Sequence, residues 1–413
     1  MAKKDVRDLE VSGKVVFVRC DFNVPHKGAT ITDNNRIVAA IPTIAELVNK
    51  GAKILLTSHL GKIDFKKTPE EIDAMKKKGD LSIIVPELKA QLEKAVGHEV
   101  KVTFCPATRG EELANAVKGL NNGEIVLMQN TRYEKGETKN DPELAKEWAS
   151  LADAYVNDAF GSDHRKHVST YGVPELLRSE GKPTGVGFLV EKEIVSLGRC
   201  VECPEKDHPY VAILGGAKVS DKILVIESLL KKCDKILIGG AMAYTFLKAL
   251  GHHIGTSLVE DDQLDYAKKI YGSGKIVLPV DNVIAAAYPE DESATGKVVN
   301  SDEIPDGMMG LDIGPKTAEN YAKIIASAKT VFWNGPMGVS EIPAFANGTI
   351  AVCKAAAENE GAFTVIGGGD SAAAAKKLGF ASKFSHVSTG GGASLELIQN
   401  DGHLPGIDII EDK

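Results

Sequence analysis

The chain alternates short apolar runs with longer amphipathic segments, and glycine or polar residues follow most of the runs. The runs are rich in β-branched residues and lead into segments with helical spacing. Runs that are apolar on both faces are typical of parallel strands covered by helices on both sides. The pattern predicts two doubly wound parallel-sheet (Rossmann-like) α/β domains. With the residues that follow them, the runs are KVVFVRCDFNVP, AKILLTSHLGK, EIVLMQNTRYEKGE, DAYVNDAFGSDHR, PYVAILGGAKVSDK, DKILIGGAMAYTF, GKIVLPVDNV, KTVFWNGPMGVSE, FTVIGGGDSAAAA and SHVSTGGGASLEL.

A break in this rhythm near residues 180–208 predicts a domain boundary. The stretch RSEGKPTGVGF is loose, LVEKEIVSLGRC has the pattern of one connecting helix, and PEKDHP interrupts it. A chain of 413 residues is also too long for one compact core. We expect an N-terminal domain over 1–188, an interdomain helix over 189–200 and a C-terminal domain over 201–402. The apolar tail, 403–413, is expected to dock back on the first domain.

Composition places the chain among soluble globular proteins and disfavours two classes of partner. No apolar run is long enough to span a membrane, and the N-terminal stretch lacks the apolar core of a signal peptide. The net charge of −8 disfavours nucleic acid and anionic membrane surfaces. We expect a cytoplasmic protein whose six cysteines are free thiols, with a metal or redox role for Cys200 and Cys203 as the alternative. The lysine-rich stretch 63–80 is expected to be an exposed excursion.

Arginine is distributed unequally between the two halves. All eight arginines lie at or before position 199, and the rest of the chain carries lysine only. The arginine fork suits bidentate capture of phosphate or carboxylate, whereas lysine acts as a point charge. The asymmetry indicates two chemically different anion sites, although a lysine-rich surface would explain it equally. The arginines are Arg7, Arg19, Arg36, Arg109, Arg132, Arg165, Arg178 and Arg199.

Glycines close three strands of the second half, at 215–216, 239–240 and 367–369. Ligands of open parallel sheets lie outside the carboxyl ends of the strands, where the following helices present their positive N-termini. Lys218 and Lys222, four residues apart and expected on one helical face, would neutralise phosphate charge. The pattern therefore predicts a polyphosphate site, and the Asp370 carboxylate would hold its Mg²⁺. A single glycine-rich turn could equally serve helix–strand packing.

The corresponding edge of the first half carries cations instead of glycines. Arginines, a lysine and a histidine that converge there would suit a small metabolite with several negative charges. Each arginine alone could form a surface salt bridge, and the histidine could cap a helix or bind a backbone carbonyl. The residues are Asp21, Asn23, Arg36, His59, Lys62, Arg132 and Arg165.

Several well-known catalytic patterns are missing from the sequence. There is no GxxxxGK[ST] phosphate loop, no GxGxxG opening a first βαβ unit, and no protein-kinase signature. No side chain stands out as a general base. Phosphoryl transfer to a carboxylate would need none, because that nucleophile is already ionised at neutral pH.

Seven stretches together resemble the phosphoglycerate kinase family, in order and from about residue 10 to residue 406. They are VRCDFNVP, TSHLGK, YVNDAFGSDHR, ILGGAKVSDKI, FWNGPMGV, GGGDSAAAA and VSTGGGASLEL. The resemblance implies two similar-sized domains that close around the hinge helix to exclude water. It implies reversible phosphoryl transfer between 1,3-bisphosphoglycerate and MgADP, giving 3-phosphoglycerate and MgATP, by a cytoplasmic monomer.

The resemblance also implies site residues, with the triose on the N-terminal domain and the nucleotide on the C-terminal domain. The catalytic residues would be Arg36, Lys218 and Gly391. The triose would contact Asp21, Phe22, Asn23, Arg36, His59, Leu60, Gly61, Lys62, Arg132 and Arg165. The nucleotide would contact Lys218, Lys222, Gly239, Gly310, Leu311, Asn334, Glu341, Gly368, Gly369, Asp370 and Ser371, with Asp370 holding the Mg²⁺ of ATP or ADP.

Three positions depart from the family's usual pattern. Lys62 stands where arginine is usual, so the charge is kept but the fork is lost. Ser371 stands where threonine is frequent, and the hydroxyl is kept. Ser340 stands where an aromatic residue is common, which puts a packing contact near Glu341 in doubt.

Two alternatives to a kinase remain open from the residues. A nicotinamide-dependent dehydrogenase would use glycine-rich strand ends, but no acid is identifiable about 20 residues after a fingerprint glycine loop. A non-catalytic nucleotide sensor or assembly scaffold on the same fold would be expected to have lost Arg36, Lys218 or Asp370. None of the three is lost.

Overall fold

The computed structural model describes residues 2–413, which form two compact units. Unit 1 comprises the chain up to Val195 together with His403–Lys413, and unit 2 comprises Ser196–Gly402. The division falls inside the helix Phe188–Glu202. Each unit contains a six-stranded parallel sheet flanked by helices, so the predicted α/β fold class is confirmed. No helix in residues 2–413 is long and apolar enough to cross a membrane.

The sheet of unit 1 has the strand order β5-β6-β4-β1-β7-β8, and every pairing in it is parallel. The four apolar runs of the first half form its central strands. The edge strands β5 and β8 were not predicted, because they are short and lack a continuous apolar run. A small hairpin, β2–β3, lies outside the sheet. The strands are β1 (Val15–Cys20), β2 (His26–Lys27), β3 (Thr30–Ile31), β4 (Lys53–Thr57), β5 (Val102–Cys105), β6 (Ile125–Met128), β7 (Ala154–Asp158) and β8 (Thr184–Val186).

Helices cover the sheet of unit 1 with amphipathic faces. In the helix Asn35–Asn49, Ile37, Ala40, Ile41 and Ile44 are buried at helical spacing and join one core with strands β1, β4 and β6. The lysine-rich excursion forms the helix Pro69–Lys78, which buries no residue fully. The helices are α1 (Asn35–Asn49), α2 (Pro69–Lys78), α3 (Val85–Val96), α4 (Glu111–Lys118), α5 (Pro142–Ala149), α6 (Val173–Ser179) and α7 (Phe188–Glu202).

Unit 2 contains two sheets, of which the sequence predicted one. The parallel sheet has the order β11-β10-β9-β15-β16-β17, and an antiparallel sheet has the order β13-β12-β14. GKIVLPVDNV was predicted to be a single parallel strand, which is wrong. Its start forms β11 in the parallel sheet, and its end begins β12 in the antiparallel one. The strands are β9 (Tyr210–Leu214), β10 (Lys235–Ile238), β11 (Ile276–Val277), β12 (Asp281–Ala285), β13 (Lys297–Asn300), β14 (Met309–Ile313), β15 (Thr330–Asn334), β16 (Phe363–Ile366) and β17 (His386–Val387).

A buried carboxylate joins the antiparallel sheet of unit 2 to a helix. Asp281 on β12 is 1% exposed and accepts hydrogen bonds from the backbone N–H groups of Lys316 and Thr317, at 3.0 and 2.9 Å. These N–H groups belong to the first turn of α11, which has no acceptor for them within the helix. The remaining helices are α8 (Ile223–Leu230), α9 (Met242–Ala249), α10 (Leu264–Tyr271), α11 (Pro315–Ala326), α12 (Asn347–Glu358), α13 (Gly369–Lys377), α14 (Gly391–Gln399) and α15 (Pro405–Asp408).

The C-terminal tail lies against unit 1 through hydrogen bonds and ion pairs. Glu411 accepts from the backbone N–H of Thr184 at 3.0 Å, which attaches the tail to β8. Asp5 is 1% exposed and binds Arg7 at 2.9 Å and Lys413 at 3.3 Å. The hydrogen bonds from Arg7 lower the pKa of Asp5 well below its usual range. The Asp5 carboxylate therefore joins the two ends of the chain.

We predict that Asp5→Asn lowers the stability of unit 1 at pH 7 by about 1–2 kcal/mol, because two charge-assisted contacts are lost. A carboxyl whose pKa is depressed by folding stabilises the protein above its unfolded value of about 4, and this contribution disappears as the pH falls. The deficit of the variant should therefore shrink as the pH falls below about 4, and it should vanish only below the depressed pKa of folded Asp5. Urea unfolding, followed by Trp148 fluorescence in a Trp333→Phe background, measures the difference between pH 7 and pH 3.

The control is Asp73→Asn on α2, where the carboxylate is exposed. This variant should unfold at the wild-type midpoint at both pH values. An Asp5→Asn deficit that stays constant from pH 7 to pH 3 would show that the carboxylate charge does not act as described.

Candidate functional site

The carboxyl ends of β1 and β4 place the first set of predicted residues at one edge of unit 1. Arg36, in the first turn of α1, donates from Nη1 to both carboxylate oxygens of Asp21 at 3.0 Å. The backbone N–H of Gly61 donates to Asn23 Oδ1 at 2.8 Å. The Arg36 side chain remains 45% exposed. Asp21 thus orients a guanidinium that still faces water.

Two of the predicted contact residues can offer only backbone to a ligand. Phe22 and Leu60 are 0% and 1% exposed, and both belong to the core of unit 1. The backbone N–H of Phe22 donates to Ser58 Oγ at 2.8 Å, which fixes the loop after β1 against the loop after β4. Lys62, next to these loops, is exposed. The hydrogen-bonded loop pair therefore presents an exposed lysine.

Arg132 and Arg165 follow β6 and β7 at the same edge. Arg132 lies in a short turn, Thr131–Tyr133, and donates from Nη1 to the Gly61 carbonyl oxygen at 3.2 Å. Burial lowers the pKa of Arg132, and its Nε has no hydrogen-bond partner within residues 2–413. Arg165 is exposed on the loop after β7. An anion bound beside Arg132 would compensate the cost of this partial burial.

His59 and Arg19 lie behind this edge, and Arg19 is not among the predicted site residues. His59 is 6% exposed, and Arg19 is fully buried with Nη2 2.8 Å from His59 Nδ1. Burial, and then the charge of Arg19, hold the pKa of His59 well below its usual range. The sequence does carry a signal for Arg19, because it is the one charged residue of the strand VVFVRC.

The second set of residues lies where β9, β15 and β16 end in unit 2. Lys222 Nζ donates to Asn334 Oδ1, and Asn334 Nδ2 donates to the Gly367 carbonyl oxygen. Ser371 Oγ accepts from the backbone N–H of Gly335 at 2.7 Å. Burial lowers the pKa of Lys222 to about 8, so a phosphate beside it would stabilise its charged form. The arrangement joins three strand ends around one partly desolvated cation.

Two of the glycines are required by close approach at these strand ends. A Cβ at Gly215 would collide with the Pro336 backbone. Gly368 has a φ of +132°, and a Cβ there would lie 2.7 Å from Asn334 Nδ2. A Cβ at Gly391, the first residue of α14, would lie 3.1 Å from the Gly368 Cα. The N-termini of α13 and α14 are therefore neighbours, and both suit an anion.

The prediction that Lys218 and Lys222 share one helical face is wrong. The helix α8 begins at Ile223, and a tight turn over Ser220–Lys222 precedes it. Glu260 accepts hydrogen bonds from the backbone N–H and the hydroxyl of Ser220, which holds the chain in this turn. Lys218 consequently lies in the exposed loop, whereas Lys222 is partly buried.

A cavity of about 300 Å³ in unit 2 contains most of the predicted nucleoside-binding residues. Gly310, Leu311, Glu341 and Asp370 line it. An adjoining cavity of about 500 Å³ shares Pro336, Glu341 and Asp370 with it. Both cavities thus meet at the first turn of α13, beside Gly368 and Gly369.

Gly240 lines this cavity, whereas its neighbour Gly239, which was predicted to contact the nucleotide, is not among the lining residues. Gly239 is buried, and a Cβ there would strike the Met337 side chain. Two aromatic lining residues, Tyr244 and Tyr288, were missed. Only the folding of residues 244–310 brings them to the strand ends, and no local pattern marks them.

The comparisons with known proteins agree on one family. The family model described as "Phosphoglycerate kinase" matches residues 6–401. A phosphoglycerate kinase of Lactobacillus delbrueckii subsp. bulgaricus is 51% identical over 422 residues, with 100% of both chains covered, and that of Enterococcus faecalis is 52% identical over 419 residues at the same coverage. The solved phosphoglycerate kinase structure from Coxiella burnetii has a TM-score of 0.84 at 36% identity, again with 100% of both chains covered. The kinase interpretation is confirmed over the dehydrogenase, and this chain belongs to the phosphoglycerate kinase family.

Proposed function

We propose that the two strand-end sites divide the substrates of the phosphoglycerate kinase reaction, with the triose on unit 1 and the nucleotide on unit 2. The reaction is the reversible phosphoryl transfer of glycolysis, which converts 1,3-bisphosphoglycerate and ADP to 3-phosphoglycerate and ATP. The contrast between the two sites carries the proposal. Arginine side chains lie at the first, and helix N-termini with lysines lie at the second.

On unit 1 we assign the glycerate part of the triose to Asp21, Asn23 and Arg36. Asp21 holds the Arg36 guanidinium in place, so that little side-chain freedom is lost when a carboxylate or an acyl phosphate binds. The remote phosphate is assigned to His59, Lys62, Arg132 and Arg165, and the partly buried Arg132 would gain most from an anionic partner. Backbone groups of Phe22, Leu60 and Gly61 complete this site.

On unit 2 the phosphates are assigned to Lys222, Asn334 and the N-terminus of α13, with Gly368, Gly369 and Ser371. The cavity of about 300 Å³ would hold the nucleoside, with Glu341 at the ribose and Gly310 and Leu311 at the adenine. Gly239 remains a predicted contact, and its neighbour Gly240, which lines the cavity, is added to it. Gly391 is assigned a catalytic role through the positive N-terminus of α14, which adjoins Gly368.

Mg²⁺ is proposed as the cofactor, held on the protein by Asp370. The Asp370 carboxylate is exposed in the first turn of α13 and lines both cavities, and carboxylate oxygen is the donor that Mg²⁺ prefers. Within residues 2–413 no three acidic, histidine or cysteine side chains form a ready-made metal site. The single Asp370 carboxylate fits an ion that takes its other ligands from phosphate and water. Such an ion would offset the negative charge of the phosphates.

Arg36 and Lys218 are proposed as the catalytic cations. The transferred phosphoryl group carries spread negative charge in the transition state, so positioned cations stabilise it more than the ground state. Both side chains are exposed enough to reach a bound phosphate. No proton needs to be removed, because the accepting carboxylate is ionised at neutral pH.

Monomeric state and cytoplasmic location remain proposals that follow the family resemblance.

The first test is ADP release from MgATP by the purified protein, with and without 3-phosphoglycerate. We expect release only when both 3-phosphoglycerate and Mg²⁺ are present. No release, together with thermal stabilisation by MgATP, would support the non-catalytic sensor and overturn the assignment of unit 1 to the triose. Release without 3-phosphoglycerate would mean that another acceptor, or water, is used.

We predict that Lys218→Ala lowers kcat by at least about 100-fold, while the Kd of MgADP changes by less than about threefold. The reason is that the exposed Lys218 charge is needed mainly when the phosphoryl group is in transit. Steady-state kinetics and titration calorimetry separate the two effects. Lys354→Ala on α12 is the matched control for loss of an exposed lysine, and an unaltered kcat in Lys218→Ala would remove the residue from the mechanism.

We predict that Lys62→Arg tightens 3-phosphoglycerate binding by about 1 kcal/mol, because a guanidinium restores paired hydrogen bonds to the phosphate. Titration calorimetry measures this difference directly. Lys66→Arg, a neighbouring exposed exchange on the same excursion, should leave the Kd unchanged. Weaker binding by Lys62→Arg would show instead that the loop is adapted to lysine.

A further inference from the structure

Arg19 is a fully buried cation that the substrate assignments leave without a role. It is the fifth residue of β1 and is 0% exposed. A buried charge is tolerated when hydrogen bonds and an opposite charge satisfy it, and removal of such partners is strongly destabilising. The groups around Arg19 therefore indicate what holds it there.

The Arg19 guanidinium donates in three directions. Nε donates to Ser169 Oγ at 2.9 Å, and Nη1 donates to the carbonyl oxygen of Cys20. Nη2 lies 2.8 Å from Nδ1 of His59. The three partners fix the plane of the guanidinium, because its donors have a rigid fork geometry.

The opposite charge comes from Glu137 through Ser169. The Ser169 hydroxyl donates to Glu137 Oε2 at 2.7 Å, and the Ser169 backbone N–H donates to Glu137 Oε1 at 2.8 Å. Glu137 and Ser169 are both 0% exposed. Glu137, Ser169, Arg19 and His59 thus form one chain of hydrogen bonds that starts at a buried carboxylate and ends at the triose site.

The direction of every hydrogen bond in this chain is determined. A guanidinium has donors only, so Ser169 Oγ and His59 Nδ1 must both accept from Arg19. The Ser169 proton must then go to Glu137. Because a neutral imidazole with an accepting Nδ1 carries its proton on Nε2, the chain also determines the tautomer of His59.

We propose that Arg19, Ser169 and Glu137 are positioning residues that hold His59 as the neutral, Nε2-protonated tautomer, so that it binds the substrate phosphate as a hydrogen-bond donor. The inference rests on the proposed function, since His59 is assigned there to the remote phosphate. His59 then contributes a directional hydrogen bond to the phosphate, and the arginines and Lys62 of the same site contribute positive charge.

The charged groups around His59 favour this neutral form. Arg19 from β1, Arg132 from the turn after β6, Arg36 from α1 and His167 all act against a positive charge on the imidazole, in addition to burial. His59 should therefore stay neutral from pH 5 to pH 8, across the range in which a free histidine titrates. A phosphate donor that does not titrate keeps the site competent throughout that range.

The test is the long-range ¹H–¹⁵N NMR spectrum of the histidine side chains in the ligand-free full-length protein, with His59 assigned by His59→Gln. We expect an unprotonated Nδ1 and a protonated Nε2, with no change between pH 5 and pH 8. A protonated Nδ1, or titration within this range, would overturn the proposal. The measurement needs no substrate. Failure of this proposal would therefore appear in the NMR spectrum, whereas failure of the proposed function would appear as missing turnover.

Ser169→Ala tests the chain itself, because it removes the hydroxyl between Arg19 and Glu137 and leaves both charges. We expect mixed His59 tautomers and a three- to tenfold higher KM for 3-phosphoglycerate, roughly the loss of one hydrogen bond, with kcat within about twofold. The control is Ser228→Ala in unit 2, which removes a buried hydroxyl that donates to the Ile398 carbonyl oxygen. It should keep the wild-type tautomer and KM. An unchanged tautomer in a folded Ser169→Ala protein, or a changed tautomer with unchanged KM, would overturn the positioning role.

Discussion

The parallel pairing of the strands is the constraint on which both candidate sites depend. Parallel strands all end at the same edge, so the loops that follow them meet there whatever their distance along the chain. In unit 1 this pairing brings Asn23 after β1 to Gly61 after β4. In unit 2 it brings Asn334, the last residue of β15, to Gly367 after β16. Each loop pair is locked by side-chain-to-backbone hydrogen bonds, which leaves the remaining donors preorganised for an anion.

Burial then decides what each cation at these edges can do. Lys222 is desolvated enough that its pKa falls to about 8, and burial also lowers the pKa of Arg132. An anionic ligand would stabilise the charged form of both groups, because it would supply an opposite charge close to each of them. Arg19 is the contrasting case. Its charge is already compensated by Glu137 through Ser169, so it acts on its neighbour His59 and not on the ligand.

The sequence was most informative where local pattern and global fold agree. The apolar runs gave the central strands of both sheets, and the residues behind them gave the edges at which the sites lie. Prediction from the sequence failed where an apolar run was short or was divided between two sheets. The strands β5 and β8 lack a continuous apolar run, and GKIVLPVDNV supplies strands to two different sheets. Spacing alone also misplaced Lys218, because the Glu260 carboxylate holds Ser220 in a turn before α8 begins.

The sequence by itself determined the α/β class, the family and the identity of nearly all candidate site residues, because these follow from residue types and their order along the chain. Only the tertiary structure decided the state of those residues. It showed that Gly240 and not Gly239 lines the cavity, that Tyr244 and Tyr288 join it, and that Arg19 faces His59. Burial, protonation and close approach depend on neighbours that are distant in the chain, and no local pattern encodes them.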